Sequence, residues 1–276
     1  MSKAYIDTTV LADILLKSSQ EKGKNAKESL GRYDETELPV YAIKEFKAGP
    51  LQKYMYVHNK FLVTESFAKT LEAISKLPPF QSRRKSTSLE AIAEAASLSG
   101  QITSQALVEK YGAKAKQDSV QCDQFRYSLR YIIEKSWEKR REVASQVVNE
   151  LSCYEEVAPY EKRGALVWKP TKCKEDKVEC CMAKDLRNKI DDLIKIRATI
   201  DQESKRLEDI ARRQTLKKLI KRPKDLMTED MCKSLGDAVF AIFAPHDATI
   251  LTTNIRDHEP LAQALGKKAK SPQPPS

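Results

Sequence analysis

Glycine is scarce in this chain, 8 in 276 residues, and aromatic residues make up only 7%. Collagen-like and low-complexity classes are excluded, and the abundance of Lys, Glu, Ala and Leu points toward helices. No stretch approaches the roughly 18 consecutive apolar residues that cross a membrane. The opening residues Met1-Ser2-Lys3-Ala4-Tyr5-Ile6-Asp7 lack the apolar run of a signal peptide. A cytoplasmic protein with no membrane partner is expected. Histidine is rare as well. His58, His246 and His258 show no triad or metal-ligand spacing; His258, beside Asp257, could touch a substrate, and a surface side chain is the plainer reading. The cysteines, Cys122, Cys153, Cys173, Cys180, Cys181 and Cys232, include no C-x-x-C pair. They are read as reduced, buried thiols. A structural Zn²⁺ on Cys153, Cys173, Cys180 and Cys181 is disfavoured because the last two are adjacent.

What is present is enough apolar material for a packed core, 41% of residues, in a length that suits one large domain or two small ones. The 49 basic residues outnumber the 39 acidic ones, giving a net charge of +10. Such a balance favours an anionic partner, nucleic acid first, and fits a solvated Lys-rich helical surface equally well.

The pattern along the chain alternates between strand and helix at both ends. Ala4-Tyr5-Ile6 is an apolar strand ending in Asp7, followed by Thr8-Thr9 and the helical run Val10, Leu11, Ile14, Leu15. Leu38-Pro39-Val40-Tyr41 opens a second unit leading into a helix with Glu45, and helical spacing continues to about Leu77. Pro78-Pro79 and Arg83-Arg84-Lys85-Ser86 read as a loop. Phe125, Leu129, Ile132, Ile133, Val143, Val147 and Leu151 recur at helical spacing. After a loop-like section, a long helix is expected over about 182–220. Leu186, Leu193, Ile200 and Leu207 repeat there every heptad, as in a short coiled-coil hairpin or a surface helix. Gly236–Ala244 is a nearly apolar helix carrying Asp237. The strand Ala248–Thr253 follows, then Asn254-Ile255-Arg256-Asp257 and a short helix closed by Gly266. The basic, Pro-rich tail 267–276 is expected to be disordered.

Four acids thus sit where apolar elements end or begin: Asp7, Glu45, Asp237 and Asp257. A carboxylate among core residues is costly unless paired, hydrogen-bonded or bound to metal. In a parallel α/β sheet the carboxyl ends of the strands face one crevice, so these acids are expected to form one acidic pocket. A hard cation, Mg²⁺ or Mn²⁺, would relieve their repulsion. Taken singly, each has a plainer reading: Asp7 as a helix cap, Glu45 as a solvent-facing side chain, Asp237 as a first-turn acid favoured by the helix dipole.

The order of these segments resembles the PIN-domain nucleases, the VapC-like ribonucleases. Tyr5-Ile6-Asp7-Thr8-Thr9-Val10-Leu11 is similar to their first motif and Ala42-Ile43-Lys44-Glu45-Phe46 to their second. Gly236-Asp237-Ala238-Val239-Phe240-Ala241 is similar to the third, and Leu251-Thr252-Thr253-Asn254-Ile255-Arg256-Asp257 to the fourth. The resemblance covers about residues 1–75 and 233–266. Thr9 stands where the family usually has Asn, which is expected to loosen the first turn. Asn254 aligns with the family's more usual acid, for which Asp257 would substitute.

The resemblance implies a PIN-like (Rossmannoid) α/β fold, a parallel sheet flanked by helices, split as 1–77 and 233–266 by a long, mostly α-helical insertion at 78–232. It implies a magnesium- or manganese-dependent endoribonuclease that hydrolyses RNA phosphodiester bonds. Asp7 and Asp237 would hold the ion directly, and Glu45 and Asp257 would complete the set or hold a second ion. Thr8, Thr252 and Asn254 would orient these ligands or phosphate oxygens. A toxin–antitoxin or phage-defence effector, with an inhibitory antitoxin-like partner and a homo-oligomeric state, would fit the same family. The alternative is a catalytically inactive PIN-like nucleic-acid-binding or scaffold protein. The acid-free run Arg212, Arg213, Lys217, Lys218, Lys221, Arg222 is read as a positive stripe that holds RNA, with Arg83-Arg84-Lys85 and Lys139-Arg140-Arg141 as secondary candidates. A solvated helix end is the plainer reading of that run.

Overall fold

The computed structural model describes residues 1–17, 20–99, 118–151, 157–169, 181–201, 203–221 and 229–273. Strand β1 (Lys3–Ile6) buries Ala4, Tyr5 and Ile6, as a central strand covered on both faces must. Asp7 ends it in an extended conformation and caps α1 (Thr8–Leu16), accepting the N–H groups of Thr8 and Thr9. Helix α2 (Glu21–Leu30) returns the chain to β2 (Glu35–Pro39), which pairs parallel with β1. Pro39 ends that strand, where its missing N–H breaks no ladder, and α3 (Val40–Phe46) begins at once. The first N–H groups of α3 are satisfied from far along the chain: the Glu150 carboxylate accepts from Val40 at 3.0 Å and Tyr41 at 2.8 Å.

A π-helical turn (Lys47–Leu51) leads to α4 (Gln52–Thr64), α5 (Phe67–Ser75), a 3₁₀ turn (Pro79–Gln81), α6 (Ser82–Ser99) and α7 (Asp118–Lys139). Helices α4, α6 and α7 pack on one another, and ring contacts among Phe61, Phe67 and Phe125 join α4, α5 and α7. The Arg83–Ser86 stretch is therefore the first turn of α6 and not a loop: Pro79 starts a turn that runs directly into the helix. After a 3₁₀ turn (Arg140–Val143) comes β3 (Gln146–Val148), parallel to β2. Val147, expected on a helix, belongs to this strand, because its backbone pairs with Leu38. A piece of the 78–232 stretch thus forms part of the main sheet. A hairpin of β4 (Tyr160–Lys162) and β5 (Ala165–Val167) turns at Arg163-Gly164, both with positive φ. Asn59 of α4 clamps it through the N–H and C=O of Leu166, each at 2.9 Å.

The expected long helix is three helices: α8 (Cys181–Arg187), α9 (Ile190–Thr199) and α10 (Leu207–Lys221). Ile200 is extended, and the Ser204 hydroxyl bonds to Asp209 ahead of α10, so local polar bonds replace helix bonds at the break. Leu207, the last heptad position, is accordingly 80% exposed. Then come α11 (Glu229–Ser234), α12 (Gly236–Phe243), β6 (Ala248–Leu251), α13 (Ile255–Ala264) and β7 (Lys268–Lys270). Strand β6 pairs parallel with β1 and β7 with β6, giving a five-stranded parallel sheet in the order β3-β2-β1-β6-β7 flanked by helices. Residues 268–270 are thus an edge strand where disorder was expected. Gly266, at φ 67°, lets the chain reverse after α13 so that these residues reach β6. The neighbouring Lys267 ammonium donates to the Ala241 and Ile242 carbonyls at the end of α12, and burial pushes it down to about 8. The core joins β1, β6, α3 and α12 through Tyr5, Ile6, Ile43, Phe240 and Ile250. No described helix is long and apolar enough to cross a membrane.

Candidate functional site

The carboxyl ends of β1 and β6 deliver Asp7 and Thr252 side by side. Asp7 is 2% exposed. Its Oδ1 accepts the Thr8 N–H at 2.7 Å. Its Oδ2 accepts the Thr9 N–H at 3.3 Å, the Thr9 hydroxyl at 2.6 Å and the Thr252 hydroxyl at 2.8 Å. The Thr9 hydroxyl also accepts the Thr253 N–H at 3.0 Å, and the Thr252 hydroxyl accepts the Asn254 N–H at 3.0 Å. Thr9 therefore does not loosen the first turn. Its hydroxyl ties the loop after β6 to Asp7.

Glu45 enters from α3, and its Oε2 accepts the Thr8 hydroxyl at 2.8 Å. Burial, then the nearby negative charge of Asp7, push its carboxyl up to about 7, with Asp237 adding to the effect. The room for it is a missing side chain: a Cβ on Gly236 would lie 2.5 Å from Glu45 Oε1. Asp237 follows in the first turn of α12. Its Oδ1 lies 3.2 Å from His258 Nε2, and its Oδ2 accepts from Arg212. Burial works to raise the Asp237 carboxyl. The His258 hydrogen bond, followed by the charges of His258 and Arg212, outweighs burial and holds it below the usual range.

His258 is not a surface side chain. It is 1% exposed on α13, with Phe240 against its ring and Nε2 also 3.7 Å from Asp7 Oδ2. Burial disfavours its charged form, but the charge of Asp7 and the bond to Asp237 prevail and raise it above its ordinary value. Asp257 points to other partners: Arg206 Nη1 at 2.8 Å and Asn254 Nδ2 at 3.0 Å. Burial alone would raise its carboxyl, and these bonds hold it low.

Arg212 is likewise not part of a surface stripe. It is 6% exposed, and its guanidinium serves Asp237 and the Ser234 carbonyl. Of the remaining stripe, Lys217 and Lys221 are exposed, Arg213 donates to the Asp201 carbonyl and Lys218 lies 3.9 Å from the Met231 sulfur. Arg222 lies outside the described residues. The secondary runs are also engaged: Arg84 lies over Tyr56, Lys85 donates to the Ser75 carbonyl, and Arg140 is buried over Trp137. The Arg83 side chain, Cys153, Cys173, Cys180 and the Cys181 side chain lie outside the described residues. Cys122 is a buried free thiol and Cys232 a partly buried one.

The structure thus brings together Asp7, Glu45 and Asp237 with Thr8, Thr9 and Thr252, and adds His258, Arg212 and Gly236. Three carboxylates of oxygen-only chemistry, crowded enough to hold one near neutrality, suit a hard divalent cation. Among the described residues no three His, Cys, Asp or Glu side chains stand as a metal-binding group. Positive charge of the kind that such a cation would bring is supplied here by Arg212, with His258 bonded to the same carboxylate. The donor types suit the ion although the described side chains as they stand form no group that could hold it, and Arg212 would have to leave Asp237 to admit it.

Compared with known proteins, the chain matches no family model, no curated protein and no solved structure.

Proposed function

We propose that this chain is a PIN-like, divalent-cation-dependent phosphodiesterase that cleaves RNA internally in the cytoplasm. The observation that carries this reading is the convergence of Asp7, Glu45 and Asp237 at the carboxyl edge of the parallel sheet. Asp7 and Asp237 would hold Mg²⁺ or Mn²⁺, with Glu45 completing the set. When bound, such an ion supplies a water of lowered pKa and stabilises charge on a phosphate. The chain's own residues do the positioning. Thr8, Thr9 and Thr252 fix the Asp7 carboxylate through the bonds described above. Gly236 leaves the space into which Glu45 reaches. Asp257 and Asn254 hold each other and Arg206, and so belong to the rim of the site. Lys217 and Lys221 are the exposed cations of α10 that suit a phosphate backbone. A role as a toxin or phage-defence effector with an inhibitory protein partner goes with this reading and follows from the motif resemblance alone.

One observation favours a second reading, a catalytically inactive nucleic-acid-binding or scaffold protein of the same fold. Arg212 and His258 already neutralise Asp237 without any ion. RNA cleavage that needs both a divalent cation and Asp237 supports the nuclease; RNA binding without cleavage supports the second reading.

A further inference from the structure

Resting on the cation-binding reading above, we propose that α10 is an in-chain plug for the carboxylate cluster, in which Arg212 and a divalent cation exclude each other at Asp237. Two guanidinium groups stand at the site and its rim, one within α10 and one just ahead of it. Arg206, just ahead of α10, places Nη1 2.8 Å from Asp257 Oδ1. Arg212, within α10, places Nη2 on Asp237 Oδ2 and donates from Nε to the Ser234 carbonyl at 3.3 Å. Asp209 lies between them, 3.9 Å from each guanidinium. The helix therefore carries a carboxylate of its own that can keep both arginines company when they leave.

The packing of α10 is separable from these contacts. Its buried Leu216 and Leu219 accompany its packing on α9 and α11, while Arg206 reaches α13 and Arg212 reaches α12 and the end of α11 at Ser234. A buried guanidinium is stable only while paired. A cation arriving at Asp237 takes away its partner and adds like charge beside it, so the arginine is driven out. In the reverse direction, Arg212 on Asp237 occupies the oxygen the cation needs. A guanidinium released at the mouth of the site has the planar donor set that grips a phosphate, so opening hands it to an incoming RNA backbone.

The test is calorimetric titration of Mn²⁺ into the full chain as wild type, Arg212→Gln, Arg206→Gln and Asp237→Asn, with thermal melts confirming that each folds. The plug predicts that Arg212→Gln binds Mn²⁺ about 5–150-fold more tightly than wild type, the usual span of coupling between two sites. Asp237→Asn abolishes it, and Arg206→Gln, whose guanidinium sits on Asp257 at the rim, leaves it near the wild-type value. Should Arg212→Gln melt early, Arg212→Met, which keeps the apolar stem and removes the charge, carries the comparison. Saturable wild-type binding that is lost in Asp237→Asn, yet unchanged or weakened on removing the Arg212 guanidinium, overturns the plug and leaves the cation site standing. No saturable binding in any variant, Arg212→Gln included, overturns the cation site and the plug together.

Discussion

Replacing Glu45 by Gln removes a carboxylate that folding holds in an unfavourable place, so the variant gains stability at high pH. In the folded protein Glu45 keeps its proton up to about pH 7, against an ordinary value of 4.5. Between these limits the folded state binds a proton that the unfolded chain has released, so wild-type stability falls as pH rises through that window. At about 1.4 kcal/mol per pH unit the full difference is about 3 kcal/mol. Relaxation around the ionised group reduces it, and we expect about 1–3 kcal/mol at pH near 8. The Gln carbonyl still accepts the Thr8 hydroxyl, and its amide donates to the Tyr41 oxygen, whose own hydroxyl keeps the Cys232 carbonyl as acceptor. In a chain of this size the gain raises the melting temperature by roughly 2–10 °C. The assay is a pair of melting series, wild type and Glu45→Gln, from about pH 4 to 8. The difference should vanish near pH 4.5 and grow upward. A difference that is constant across pH, or a variant less stable at pH 8, would refute the crowded-carboxylate argument.

Three further outcomes follow from the same geometry. Gly236→Ala should change stability by no more than about 1 kcal/mol in urea melts, because the atom its Cβ meets is the mobile end of Glu45; displacement of that carboxylate should nevertheless lower RNA cleavage at least about tenfold. Thr9→Val removes the donor to Asp7 and the acceptor of the Thr253 N–H, and should cost about 1–3 kcal/mol in the same melts. His258 favours its charged form on folding, so its contribution to stability is full below about pH 6.5 and is lost as pH rises through its raised value. His258→Gln should remove that slope, and an unchanged slope would show that the Asp7–His258–Asp237 contact carries no charge.

The parts of the fold that pair near in sequence, or that follow a single period, were legible. The strand ending in Asp7, the helix of Glu45, the apolar helix of Asp237 and the turn at Gly266 all stand where the pattern put them. Strand β3 was not, because three residues carry little periodicity and their pairing with β2 is decided more than a hundred residues away. Strand β7 is equally short, and its Lys-Ala-Lys sequence reads as a charged tail until β6 offers it a ladder. The heptad positions Leu186, Leu193, Ile200 and Leu207 ran across two breaks that spacing alone does not register; at the second, Ile200 is extended and Ser204 bonds its hydroxyl to Asp209 of the next helix. Arg212 and His258 had a usable signal. Arg212, Leu216 and Leu219 are spaced as one helix face, and so are His258, Leu261, Ala262 and Leu265. A charge in register with buried residues points inward, toward whatever acid can receive it. Weighing these side chains by charge and by rarity put them on the surface; weighing them by register would have put them at the acids.

The central claim is that Asp7, Glu45 and Asp237 form a cation-dependent RNA-cleaving site. It is tested most directly by incubating the purified full chain with a mixed RNA pool that includes total tRNA, with Mn²⁺, with EDTA, and as the Asp237→Asn variant. Discrete cleavage products are expected with Mn²⁺ and none in the other two arms. Intact RNA in all arms, with the protein folded by circular dichroism and Arg212→Gln equally inert, would contradict it.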